Sequence, residues 1–178
     1  MEGLARIASR IEKLSDFIGK GASWLAVGLI LSIGYEVVMR YAFRAPTLWS
    51  FDVSYMLGGS LYVLGFAWVL RDDGNVRVDI ISSRFSPKVQ LYINLIFTLL
   101  LFLPMAIWLF YTSLVRTFHS WRILEKASYT IWYPPIYPLR TVVSFALLIW
   151  LLQGIVTFYR NIQKLTGEKP WLKSARRL

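Results

Sequence analysis

Two carboxylates lie beside long apolar stretches of this chain, Glu36 and Asp52. A carboxylate in hydrocarbon is costly, so its position decides what it can do. Glu36 precedes Arg40 by four residues, the favourable order for an ion pair along a helix. Asp52 follows Ser50 at the start of another apolar run, where a negative charge suits the free amides and positive dipole end of a helix. A proton or ion relay would need such groups at the bilayer midplane. Both fall near run ends, so they predict structural anchoring or contact with a partner subunit. Little else in the sequence offers chemistry. There is no cysteine, which excludes disulfides, thiol redox and thiolate metal sites. The single histidine, His119, cannot supply a bis-histidine haem site from this chain. Gly58-Gly59 lacks the Lys and Ser/Thr of a phosphate loop. It belongs instead with the pairs Ser54/Gly58 and Gly28/Ser32, whose small-xxx-small spacing lets helix backbones approach. No catalytic group, metal site or cofactor site is expected here.

The elements that carry these residues follow from how charge is distributed. Of 178 residues, 56% are hydrophobic and only 17% charged, against about 25% charged in ordinary soluble domains. The windows 21–35, 53–70, 89–115 and 141–159 contain no Asp, Glu, Lys or Arg at all. A helix crosses the hydrocarbon with about 20 apolar residues. With their flanks the windows predict four transmembrane helices near 20–39, 51–70, 89–115 and 136–159. Runs such as Leu99-Leu100-Leu101-Phe102-Leu103 lack the alternation of a membrane barrel strand. Pro104 removes an internal hydrogen bond and should kink the third span. Residues 1–19 differ: Leu4, Ile7, Ile11, Leu14 and Ile18 form an apolar stripe among charges, the pattern of an amphipathic interfacial helix. A cleaved signal peptide would bring its apolar stretch sooner and close it with small residues. The fold expected is an all-α integral membrane protein, four spans plus that arm, followed by a basic tail over 160–178.

Orientation follows from lysine and arginine. The arm with Lys20, the second connection and the tail together hold 14, the two remaining connections 6. Both termini are therefore predicted to be cytoplasmic. The net charge of +10 then points to anionic lipid headgroups as partners, with no nucleic acid. Trp49, Trp68, Trp132, Tyr133 and Tyr137 fall near span ends, where amphipathic rings favour the headgroup boundary. Trp108 is deeper and is expected to face another helix or a partner. Arg140 is expected to snorkel to the outer headgroups, the alternative being an acid of a partner.

Three ordered elements give the chain a resemblance to a family. The first is Tyr35-Glu36-Val37-Val38-Met39-Arg40-Tyr41-Ala42-Phe43, followed by Pro46, Trp49 and Asp52. The second is Leu70-Arg71-Asp72-Asp73-Gly74-Asn75-Val76-Arg77-Val78-Asp79. The third is Ser120-Trp121 with Glu125, then the Trp/Pro-rich approach to the last span. Over about residues 10–160 the chain resembles the small membrane subunit of tripartite ATP-independent periplasmic (TRAP) transporters. It departs from the pattern at Asn75, where histidine is common, and at Leu124, where glycine is frequent. The resemblance implies a non-catalytic helper that braces a large membrane subunit, the holder of the substrate and sodium sites. It also implies a periplasmic solute-binding protein as partner, and phospholipids that fill gaps between subunits. Under this reading Glu36, Arg40, Trp49 and Asp52 form an outer anchoring or docking cluster. Arg71, Arg77 and Asp79 organise the inner connection. The rival readings are a self-contained oligomeric carrier or channel, and a membrane-bound electron-transfer enzyme. The first needs a polar face at midplane, but Ser32, Ser60, Thr98 and Gln153 are sparse and lie on different helices. The second lacks ligands.

Overall fold

The computed structural model describes residues 2–72, 86–128 and 131–166. Within them the chain is helical: α1 (Glu2–Tyr41), α2 (Ser50–Arg71), α3 (Pro87–Phe97), a π-helical turn (Thr98–Phe102), α4 (Leu103–Arg122) and α5 (Tyr137–Thr166). Four stretches are long and apolar enough to cross a membrane, with α3, the π turn and α4 forming one of them. Four long apolar helices, with no strand among the described residues, agree with an all-α membrane protein.

Three helix boundaries lie away from the limits read from sequence, one of them the end of α5, which continues past residue 159 to Thr166. The division between arm and first span at residues 19 and 20 falls inside α1, a single helix of 40 residues and about 60 Å. No proline or glycine pair breaks it, and the arm's charged face needs no interruption of the hydrogen-bond ladder. The third span runs on past residue 115 to Arg122, because Thr117 and Ser120 are buried against neighbouring structure. The irregularity expected at Pro104 occurs one turn earlier, in the π turn. A proline ring crowds the carbonyl four residues back, here Leu100, and the wider π turn relieves that contact.

Packing runs mainly from α1 to α2, from α2 to α5, and from α5 to α4, with a smaller direct contact between α1 and α5. The helices thus form an open row, with α1 and α4 at its ends. Accordingly, 44% of the most apolar window of α5 is buried, against 6–11% in the other three. The contacts are made by small residues. Ser32 and Ser54 share a hydrogen bond of 3.3 Å between α1 and α2, and Gly28 faces Leu57. Gly19 lies flat against Trp68, whose Cγ would stand 2.6 Å from any added Cβ. On α5, Gly154 accepts the ring of Phe102 from the π turn, which also meets Trp150 edge-on at 4.8 Å. A side chain at either glycine would push the helices apart.

Candidate functional site

The polar residues fall in two layers. One lies at the end of the row that carries the connections α1–α2 and α4–α5, called here the loop end. The other lies at the opposite, terminal end.

At the loop end, Glu36 binds Arg40 one turn later, with N–O distances of 2.6 and 2.9 Å. Its second oxygen accepts the backbone N–H of Thr47 at 3.0 Å and the Thr47 hydroxyl. Glu36 therefore closes the α1–α2 connection on itself. Trp49, directly before α2, stacks on Tyr35 of α1 at 5.6 Å and 28°. Ser50 donates to the carbonyl of Ser32 at 3.2 Å. Asp52, in the first turn of α2, is 2% exposed. Four residues singled out from sequence, Glu36, Arg40, Trp49 and Asp52, thus gather around one helix–helix turn. Thr47 was missed, and nothing in its own surroundings in sequence marks it; only the fold brings it back to Glu36.

The α4–α5 hairpin is stapled in the same manner. Arg140, expected to snorkel to the headgroups, binds Glu125 of its own chain at 2.7 Å instead. The connection between the helices doubles back through an isolated bridge between Lys126 and Pro135, which brings that acid within reach. Trp121 donates to Thr141 at 2.8 Å and lies 4.4 Å from Tyr137. Thr117, Ser144 and Ser113 link α4 to α5 through hydroxyl pairs of 2.7 and 2.8 Å. Helix α4 ends in a Schellman motif: Glu125 N–H meets the Ser120 carbonyl and Leu124 N–H that of Trp121. Leu124 holds the left-handed position at φ 49°, which explains why glycine suits that place. Trp108 is 66% exposed.

At the terminal end, Arg71 binds Asp16 of α1 at 2.8 Å, while Lys20 holds the other Asp16 oxygen at 2.8 Å. Arg71 also binds Asp72 at 3.0 Å. It fixes α2 to α1, beyond the connection it was expected to organise. Arg77 and Asp79, and the Asp73-Gly74-Asn75 turn, lie outside the described residues. So does most of the basic tail. Deeper in the same layer, Ser15 donates to Gln153 of α5 at 3.1 Å, both side chains being buried. Arg160 lies 4.0 Å from Glu12, with side-chain exposures of 9% and 13%. These links were not read from sequence. The signal was present in the spacing of Ala8, Ser15, Gly19 and Ala22, small residues on one face of α1, all buried.

Among the described residues no group of three or more His, Asp or Glu side chains could hold a metal. The polar residues serve local ends. Ser32 pairs with Ser54, Gln153 with Ser15, and Thr98 with the carbonyl of Asn94 in its own helix. They form joints between helices, spread over two layers.

Comparison with known proteins turns this arrangement into an assignment. Residues 29–164 match the family described as tripartite ATP-independent periplasmic transporters, DctQ component. The chain belongs to the DctQ family. The matched range starts in α1 and runs into the last turn of α5, so it takes in both stapled connections. A similar curated protein is the sialic acid TRAP transporter permease protein SiaT of Haemophilus influenzae (strain 86-028NP), 26% identical over 111 residues. Those residues are 62% of this chain but span only 17% of that relative's length. This DctQ chain is therefore a TRAP transporter component with transmembrane helices, and transport is its context.

Proposed function

We propose that this DctQ chain is the non-catalytic small subunit that braces a large membrane subunit during uptake delivered by a periplasmic solute-binding protein. The observation that carries this reading is the open row. Many of its polar residues are spent on joints between its own helices, while the faces of α1, the π turn and α4 present exposed Trp24, Ile30, Leu31, Leu100, Ile107 and Trp108. Such faces are solvated by lipid or covered by further apolar helices, and in membranes helix association relies on close packing of this kind. The large partner would hold the substrate and sodium sites, so coupling to sodium is a property of the complex and the brace needs no cofactor. The charge asymmetry supports a multi-pass chain in the bacterial inner membrane with both termini cytoplasmic, and with the start of α1 and the basic tail at that surface.

Co-expression with the large subunit tests the proposal. Stoichiometric recovery of the pair, together with no solute uptake by liposomes holding this chain alone, is the expected outcome. Uptake by the isolated chain would overturn it. Single cysteines can be added to a chain that has none, so labelling of residue 45 from the cytoplasmic side would separately overturn the orientation.

A further inference from the structure

A cleft of about 570 Å³ opens at the loop end between α2, α4 and α5. Its apolar lining includes Val143, Leu147 and Trp108, one to two helical turns further into the spans than Arg116 and Arg140, which form its rim. The hydroxyls of Thr117 and Ser144 nearby already bond to each other at 2.7 Å, so they offer little to an occupant. The guanidiniums differ. Arg116 has no ion-pair partner among the described residues, and the buried Nε of Arg140 has no hydrogen-bond acceptor even though its Nη2 is held by Glu125. With Glu125 set against Arg140, the rim keeps a net positive charge.

Depth identifies what would fill this space. Arg116 is the first charge after the charge-free window 89–115, and Arg140 is the last before the window 141–159. Both cations thus stand where hydrocarbon gives way to headgroups, with the apolar wall on the hydrocarbon side. We propose that the cleft holds one anionic glycerophospholipid. Its phosphate binds Arg116 beside the Arg140 guanidinium, and an acyl chain lies along Trp108 and Leu147. Guanidinium and phosphate oxygens form strong charge-assisted pairs, while the acyl chain ties the occupant to the membrane rather than to solution. Lipid retention is read on this chain alone, so it stands or falls separately from the bracing role.

The test is native mass spectrometry of the full-length chain in neutral detergent with phosphatidylglycerol, phosphatidylcholine or inorganic phosphate added. Wild type is expected to retain one phosphatidylglycerol, about tenfold more tightly than phosphatidylcholine, as one strong ionic contact implies. Arg116→Gln should lose that preference, Arg116→Lys should keep part of it, and Arg122→Gln, at the end of α4, should leave it unchanged. Val143→Trp, which fills the apolar wall, should reduce retention of either lipid. Equal retention of the two lipids, binding of inorganic phosphate at the lipid concentration, or unchanged preference in Arg116→Gln would each overturn the proposal. So would no retention by a folded wild-type chain, the result expected if a partner helix fills the cleft.

Discussion

The loop end and the terminal end of this protein are both polar, yet they join different things. At the loop end Glu36 reaches Thr47 and Arg140 reaches Glu125, so each staple closes a hairpin whose helices are already neighbours in sequence. At the terminal end Ser15 meets Gln153 and Arg160 approaches Glu12, contacts that tie the first hairpin to the second across more than a hundred residues. Polar links at the loop end thus fix the shape of each hairpin, while the terminal end adds polar links between the hairpins to the α1–α2 pair of Arg71 and Asp16. The cleft between α2, α4 and α5 opens at the loop end, away from those cross-hairpin contacts.

The largest effect should come from loosening the terminal end. Arg160→Met removes a cation from beside the largely buried Glu12 and should destabilise the chain by up to about 3 kcal/mol, the low end for breaking a buried pair. Thermal or denaturant unfolding in detergent measures this, and adding Glu12→Gln to the same chain should restore most of the loss. If Arg160→Met unfolds like wild type, the two ends are not distinct in the way described. A smaller effect of opposite sign is expected at the Schellman motif. Leu124→Gly removes a side chain from a left-handed residue and should stabilise by up to about 1 kcal/mol, visible as a raised unfolding midpoint. The smallest global effect should follow Glu36→Gln. It frees the α1–α2 connection, so amide exchange over residues 42–49 should accelerate while the unfolding midpoint hardly moves. A midpoint drop as large as that of Arg160→Met would show that the loop end also holds the hairpins together.

How much of this was legible depends on what hydrophobicity encodes. Charge-free windows reveal long apolar helices because bilayer thickness sets their length, and the window 53–70 lies wholly within α2. The same apolar character surrounds a membrane helix on every side, so it cannot say which face packs. That information sits in small residues: Ser54, Gly28 and Ser32 were read correctly as approach points, whereas Gly19 and Gly154 needed their partners Trp68 and Phe102 to acquire meaning. Glu36 with Arg40 was visible as a helical pair because both belong to one turn. Arg140 with Glu125 was not, because a bridge in the connection between two helices creates their proximity. The departure at Leu124 was visible as an odd residue, and only the backbone gives its physical reason.

A closed bundle of helices has no ends, and adding a member means prising apart contacts that exist. A row does have ends. Here they are α1 and α4, and a further helix can be laid against either without disturbing a single joint in the interior of the row. The geometry is that of a β-sheet edge transposed to helices, with side-chain packing in place of backbone hydrogen bonds. A protein built this way is extensible by construction.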